Sequence, residues 1–251
     1  MFESAFRKVE RAYTHIKRIE GAIVRLSQSN KADFMVNKDP DTDTQFIHYN
    51  IGNPIPPDLP LILGDAIHNL RTALDHAMWE FLGIPGGTQD PSASFPFSKT
   101  KIDYEAACKG IKTTFPNTEK FFISIEAYET GKGKYLYGLN RLNILDKHKI
   151  LTPVVNLAEI EQIKIVYQNG KTWSHSFGKF PISPDGIARI PIGIPIDCIV
   201  QCYNNAKPTV EVEFGKVDVF EKFPLFETLI ELYTVVKSTL FDFRDFVATR
   251  P

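Results

Sequence analysis

Apolar residues recur every three or four positions along several stretches of this chain, which is the spacing of an amphipathic helix. The first stretch covers residues 3–30, with apolar positions at Phe6, Val9, Tyr13, Ile16, Ile19, Ile23 and Leu26. The same spacing predicts further helices over residues 59–83, 103–111, 117–128, 134–151 and 221–247. The last of these is apolar on more than one face, so we expect it to pack on two sides.

Short runs of alternating apolar and polar residues predict β-strands in two places. The first place is a pair of strings, ADFMVN and TQFIHYNIG, which flank the turn-forming string KDPDTD. They predict a β-hairpin near residues 32–51. After about residue 160, short runs are separated by turn residues such as the pair Asn169 and Gly170. These runs predict an antiparallel sheet of about five strands.

The two patterns together predict an α+β protein, in which a helical bundle has an inserted or following antiparallel β-sheet and a C-terminal helix. We expect three segments along the chain. Residues 1–156 form a helical bundle with the small hairpin, residues 157–217 form an antiparallel β layer, and residues 218–251 form a helix that packs back on the bundle.

Composition excludes several classes of protein. The chain has 251 residues, 43% of them hydrophobic, which is enough to bury a core without disulfides. Its three cysteines lack CxxC spacing and its first residues are charged throughout, so we expect a cytoplasmic protein without a signal peptide. We find no stretch of the ~18 apolar residues that a membrane span needs. The net charge of -1 argues against a general nucleic-acid coat protein, although basic residues cluster in the first helix and near residues 132–149.

The predicted helix over residues 59–83 carries an unusual set of polar side chains. They are Asp65, His68, Asn69, Arg71, Thr72, Asp75, His76 and Trp79. A helix face that needs only solubility usually carries Lys and Glu, so this set indicates either a site or a buried polar network. Arg71 lies four residues before Asp75, which allows the two to form an ion pair.

A second polar group lies on the predicted helix over residues 134–151. Its members are Asn140, Arg141, Asn143, Asp146, Lys147 and His148. If the two helices pack side by side, as neighbours in a bundle do, the two polar groups converge.

The strings GDAIHNLRTALDH and LNILDKHK resemble a GD-HNLR-LDH helix and a later LN-DKH helix found in a group of uncharacterised bacterial proteins. Arg71 and His76 also match the Arg-x4-His pattern of the HEPN superfamily. That superfamily comprises nucleotide-binding and RNA-cleaving helical bundles, many of them in toxin and anti-phage defence systems. The resemblance implies a homodimer in which the Arg and His of each protomer face each other across a groove that binds and cleaves RNA.

The resemblance implies roles for particular residues in a metal-independent, cofactor-free endoribonuclease. His76 would act as general acid or base, Arg71 would stabilise the charged phosphorane-like state, and Asn69 or Asp75 would orient a neighbour. Supporting or binding roles would fall to Asp65, His68, Asp146, Lys147, His148 and Arg141.

Two other interpretations of the polar residues remain open. Asp65, His68, His76, Asp146 and His148 form the kind of oxygen and nitrogen ligand set that a metal-dependent enzyme uses. Alternatively, the polar side chains satisfy one another in the interior, and the protein is a non-catalytic binding or interaction module. We find no Walker loop, GxGxxG, GxSxG or HExxH pattern, and the glycine-rich string TGKGKY matches neither nucleotide-binding pattern.

Overall fold

The computed structural model describes residues 1–28, 33–39, 41–52, 55–84, 89–90, 92–158, 160–167, 169–196, 199–202 and 209–249. Parts of four predicted segments lie outside these ranges. They are residues 29–30 of the first helix, residues 32 and 40 of the hairpin, residues 159, 168, 197–198 and 203–208 of the β layer, and residues 250–251 of the C-terminal segment. Within the described ranges the chain has the predicted α+β fold.

Six helices occur in the described ranges. Their bounds are α1 (Glu3–Ser27), α2 (Leu59–Leu82), α3 (Lys101–Lys109), α4 (Thr118–Ile125), α5 (Lys134–Asp146) and α6 (Leu225–Ala248). In this part of the chain, no helix combines the length and the apolar character that crossing a membrane requires.

Nine strands occur in the same ranges. Their bounds are β1 (Asp33–Asp39), β2 (Thr44–Asn50), β3 (Pro153–Ala158), β4 (Ile160–Val166), β5 (Thr172–Phe177), β6 (Phe180–Pro181), β7 (Ile187–Pro195), β8 (Ile199–Cys202) and β9 (Thr209–Phe214). They form three antiparallel three-stranded sheets with the strand orders β1-β2-β7, β6-β3-β9 and β5-β4-β8.

The predicted bounds of α3 and α4 differ from the structure by up to three residues, and one end each of α5 and α6 was wrong by more, for local reasons. Helix α5 ends at Asp146 rather than at residue 151, because the N–H groups of His148 and Lys149 both donate to the carbonyl of Leu145 and turn the chain. Helix α6 begins at Leu225 rather than at residue 221. The residue before it, Pro224, has extended backbone angles, and a proline disfavours helix in the residue that precedes it.

The predicted hairpin is confirmed as β1 and β2, which pair in antiparallel register from Asp33 with Asn50 to Asp39 with Thr44. Strand β2 also pairs with β7, so the hairpin belongs to a larger sheet. The sequence did not predict β3. Its residues Val154 and Val155 continue the apolar stretch that follows α5, and a short apolar run does not distinguish strand from helix.

The chain divides into two compact units. The helical unit comprises Met1–Ile19, Pro60–Thr152 and Lys216–Pro251, and the sheet unit comprises Glu20–Leu59 and Pro153–Gly215. The sequence placed residues 1–156 in one segment, whereas the hairpin falls in the sheet unit because β2 pairs with β7.

Aromatic rings form the core of the helical unit. Phe243 of α6 contacts Phe2 at a centroid distance of 4.9 Å, Phe81 of α2 at 5.1 Å and Phe122 of α4 at 5.1 Å. All four side chains are fully buried. Because one ring of α6 contacts three other segments, its burial holds the C-terminal helix in the bundle.

The described part of the sheet unit has an apolar core and a buried carboxylate. Ile47 of β2 and Ile190 of β7 are paired in register and fully buried. Glu213 of β9 accepts hydrogen bonds from Asn156 Nδ2 at 3.1 Å and from Lys179 Nζ at 2.5 Å. The carboxylate therefore has the partners that a buried charge requires.

We predict that Gly138→Ala lowers the free energy of unfolding by about 1 to 3 kcal/mol, because it overpacks a filled space. A Cβ at Gly138 of α5 would lie 2.4 Å from Cζ of Phe220. Chemical denaturation measures the effect. Gly178→Ala is the matched control, because a Cβ at Gly178 meets nothing within 4 Å.

The cause is tested by repeating the substitution in a Phe220→Ala background. Without the ring, Gly138→Ala should stabilise by up to about 1 kcal/mol, since alanine is the better helix former. An equal loss of stability in both backgrounds would contradict the proposed contact.

Candidate functional site

The polar side chains of helix α2 lie beside a stripe of apolar residues that is buried along the helix. The buried stripe consists of Leu63, Ala66, Ile67, Leu70, Ala73, Leu74, Ala77, Met78, Phe81 and Leu82. Burial of this stripe fixes the rotation of the helix about its axis, and that rotation decides which polar residue faces the interior.

Arg71 is the charged residue of α2 that the fold buries, with 7% of its surface exposed. Its Nε donates to Asn140 Oδ1 of α5 at 2.8 Å, and its guanidinium lies 4.4 Å from the ring centroid of Phe97. Nη1 lies 2.5 Å from Asp75 Oδ2, which confirms the predicted ion pair. This contact is an ion pair and not a directed hydrogen bond, because Nη1 has no partner in hydrogen-bond geometry.

The second partner of Asp75 explains its position. Asp75 Oδ1 accepts the backbone N–H of Phe95 at 3.0 Å, so one carboxylate holds both the guanidinium and the loop before α3. Arg71 and Asp75 therefore form a structural network with α5 and this loop.

The two predicted polar groups do converge, because α2 and α5 pack against each other. Besides the bond between Arg71 and Asn140, Nδ1 of His68 lies 3.3 Å from Oδ1 of the buried Asn143. At the end of α5, the carboxylate of Asp146 lies against Gly64, where a Cβ would come within 2.6 Å of Oδ2.

Asp146 lies in an environment that disfavours its charge. Burial raises the pKa of its carboxyl above the ordinary value, and the nearby Asp65 raises it further. The backbone N–H of Leu151 and the imidazole of His68 act in the opposite direction. Asp65, His68 and Asp146 are thus electrostatic neighbours, as the sequence suggested.

His15 is also an electrostatic neighbour of Asp65. The sequence did not predict this. His15 lies on α1 with 3% of its surface exposed, and its Nδ1 has no hydrogen-bond partner. Burial lowers the pKa of the imidazole, Asp65 opposes this shift, and Arg11 and Arg18 add to it. The apolar spacing of α1 contained no signal that would single out this histidine.

His76 lies in a different place from Arg71, because five residues turn a helix by about 140°. Its Nδ1 contacts Oγ of Ser4 at 3.1 Å, and Ser4 Oγ donates to Oε1 of Glu80 at 3.0 Å. Glu80 Oε2 also accepts the backbone N–H of Phe2 at 2.7 Å. This chain of side chains, Glu80–Ser4–His76, holds the beginning of α1 against α2.

The hydrogen bonds assign the tautomer of His76. Ser4 has one hydroxyl proton, which it donates to Glu80, so it accepts a proton from Nδ1 of His76. In the neutral imidazole the lone pair is then on Nε2. This is the state in which a histidine is ready to act as a general base.

Ser4 and Glu80 line an open cavity of about 440 Å³, together with Met1, Glu3 and Arg7. Sequence reasoning missed both residues. Glu80 follows His76 by four positions on one helix, so helical spacing alone could have identified it. Ser4 precedes His76 by 72 residues, and no local pattern relates the two.

The remaining predicted site residues lie apart from His76. Asn69 Nδ2 donates to the carbonyl of Asp65 at 2.7 Å. Arg141 pairs with Asp218. Lys147 and His148 are exposed beyond the end of α5, where the sequence had placed them on the helix. The prediction that Lys147 and His148 lie on this helix was therefore wrong.

The metal-dependent alternative gains no support from the described part of the chain, because no group of three or more His, Cys, Asp or Glu side chains there is placed to hold an ion. Comparisons of the chain with protein-family models, with curated proteins and with solved structures found no match. The resemblance to HEPN proteins therefore stays a prediction.

We predict that Arg71→Gln lowers the free energy of unfolding by about 2 to 3 kcal/mol, because it leaves Asp75 and Asn140 without their shared partner in the interior. The matched control is Arg141→Gln, which breaks a half-exposed ion pair and should cost less than about 1 kcal/mol. Urea denaturation of both variants measures the difference. Equal losses would show that the Arg71 network stabilises the fold no more than the half-exposed ion pair does.

We predict that His15 makes stability depend on pH. Its folded-state pKa lies below the unfolded value of about 6.5, so the unfolded chain binds the proton first. Stability should therefore fall as the pH drops below about 6.5, toward the lower pKa of the folded state. His15→Leu should flatten this decline in denaturant titrations between about pH 5 and pH 8. The control His148→Gln, at an exposed position, should leave it unchanged, and an unaltered decline in His15→Leu would refute the assignment.

Proposed function

We propose that this protein is a HEPN-like, metal-independent endoribonuclease in which His76 performs acid–base catalysis. One observation carries the proposal: the Glu80–Ser4–His76 chain orients a partly buried imidazole, and Ser4 and Glu80 of that chain line an open cavity. RNA cleavage without a metal needs a base for the 2′-hydroxyl and an acid for the leaving oxygen. A histidine supplies both near neutral pH.

In the proposed mechanism Nε2 of His76 takes the proton of the 2′-hydroxyl. The imidazole becomes positively charged, and its Nδ1–H remains bonded to Ser4. The carboxylate of Glu80, reached through the hydroxyl of Ser4, stabilises that charge. Ser4 and Glu80 are therefore positioning residues, and His76 is the catalytic residue.

Arg7 is better placed than Arg71 to bind the phosphate. It lines the same cavity as Ser4 and Glu80, it is exposed, and its partner Glu3 lies on the surface. Arg11 and Arg18 are also exposed on α1, within about 40° of Arg7 around the helix. These three guanidinium groups provide a basic strip along which an RNA backbone can lie.

The role that the resemblance gives to Arg71 changes in this proposal. A guanidinium that is already bound to Asp75, Asn140 and the ring of Phe97 cannot reach a phosphate without leaving those partners. We therefore assign Arg71 to positioning α2 against α5. The proposal retains a cytoplasmic homodimer, in which the cavity at Ser4 and Glu80 of each protomer would join that of its partner to form one RNA-binding groove.

A second candidate function follows from the same burial of Arg71. If the polar residues of α2 serve only to join α2, α5 and the loop before α3, the protein is a non-catalytic binding or interaction module. This alternative assigns Glu80 the single task of satisfying the N–H groups at the beginning of α1.

Cleavage of fluorescently labelled single-stranded and hairpin RNA, in buffer with EDTA, tests the proposal. We expect His76→Gln to lower the rate at least about 100-fold, which is the usual contribution of an acid–base group. Ser4→Ala should lower kcat and shift the pH–rate profile, and Arg7→Gln should raise KM more than it lowers kcat. His48→Gln, which removes an imidazole from the sheet unit, is the matched control and should leave the rate unchanged.

Each other outcome selects a different function. Cleavage by His76→Gln at the wild-type rate would overturn the assignment of the catalytic residue. Cleavage that disappears in EDTA would favour the metal-dependent alternative. Absence of cleavage by the wild-type monomer and dimer would favour the non-catalytic module.

A further inference from the structure

A second cavity, of about 530 Å³, lies within the helical unit between α4, the beginning of α5, and α6. Its apolar lining consists of Phe121 and Ile125 of α4, Leu136 of α5 and Val235 of α6. We call this cavity the α4–α6 groove. Its volume falls within the usual range of small-molecule sites, which is roughly 300 to 1,000 Å³.

Opposite charges line the groove without neutralising each other. Lys132 and Asp242 both contribute to its wall. Among the described residues, neither the ammonium of Lys132 nor the carboxylate of Asp242 has an ion-pair or hydrogen-bond partner. Both side chains are exposed, so water solvates them until a ligand that carries both charges takes its place.

The loop that carries Lys132 is held in place by backbone contacts. The N–H groups of Lys132 and Gly133 donate to the side-chain and main-chain oxygens of Glu126, each at 3.2 Å. Cβ atoms at Gly131 and Gly133 would lie 2.2 Å and 2.5 Å from backbone oxygens, so only glycine fits this path. The TGKGKY string is thus a rigid support for the cationic end of the groove.

The groove offers different hydrogen-bonding groups at its two ends. At the beginning of α5 the N–H groups of Gly133, Lys134 and Leu136 already donate to main-chain carbonyls. The ammonium of Lys132 is therefore the group at this end that a ligand anion can bind. On α6, Thr239 donates its hydroxyl proton to the carbonyl of Val235, which leaves an oxygen lone pair as an acceptor about one turn from Asp242. Thr234 does the same to the carbonyl of Ile230, farther along the groove. The α5 end therefore favours a carboxylate, and the α6 side favours an ammonium group.

We propose that the α4–α6 groove binds a small apolar zwitterion, of the class of short peptides with free termini. The ligand carboxylate lies at Lys132. The ligand ammonium lies at Asp242, and the apolar side chains contact Phe121, Ile125, Leu136 and Val235. This site is separate from His76 and does not depend on the proposed nuclease activity.

Binding of the dipeptide Leu-Leu to the full chain, measured by isothermal titration calorimetry, tests the proposal. We expect a Kd of about 1 mM or tighter for the wild type. Lys132→Gln and Asp242→Asn should each raise the Kd at least about tenfold. The matched controls Lys120→Gln and Asp245→Asn make the same charge changes at exposed positions outside the groove, and they should leave the Kd unchanged.

Blocked peptides identify which end of the ligand each residue binds. N-acetyl-Leu-Leu lacks the ammonium, so Asp242→Asn should not weaken its binding further. Leu-Leu-amide lacks the carboxylate, so Lys132→Gln should not weaken its binding further. The proposal is overturned if Leu-Leu produces no binding heat up to about 20 mM. It is equally overturned if both blocked peptides bind as tightly as Leu-Leu, or if the control variants weaken binding as much as the groove variants.

Discussion

A buried guanidinium between α2 and α5 determines how the polar residues of the helical unit are arranged. Arginine keeps its charge in the interior, so it remains there only with partners that satisfy it. Asn140, Asp75 and the ring of Phe97 supply those partners from α5, from α2 itself and from the loop before α3. Sliding or rotating α5 along α2 would break at least one of these contacts, so the network fixes the register of the two helices.

Because Arg71 is buried, the residue that stabilises the packing of α2 on α5 differs from the proposed catalytic residue, His76. With Arg71 on the interior side of α2, the helical repeat turns His76 toward α1, where Ser4 and Glu80 receive it. Glu80 then has two tasks, because it satisfies the N–H of Phe2 and orients Ser4. Arg71 and His76, which the Arg-x4-His pattern joins along the sequence, therefore serve different parts of the structure.

Two cavities of the helical unit occur where a helix begins against other helices. The cavity lined by Ser4 and Glu80 lies at the beginning of α1, and the α4–α6 groove lies at the beginning of α5. Helix beginnings leave N–H donors without partners inside the helix, and side chains from other helices complete the surface. Glu80 performs this task for α1, whereas main-chain carbonyls accept the first N–H groups of α5 and the charges in its groove remain unpaired.

The sequence by itself determined the class of fold, the positions of the helices, the hairpin and the pairing of Arg71 with Asp75, because each depends on residues close together in the chain. It placed the ends of α5 and α6 wrongly and missed β3, since apolar spacing does not show where a proline or a bent backbone ends an element. Only the tertiary structure decided that Arg71 faces inward, that His15 is buried, and that Ser4 meets His76. Those contacts join residues far apart in the chain, and they depend on which apolar stripes pack together, which the periodicity of one helix does not encode.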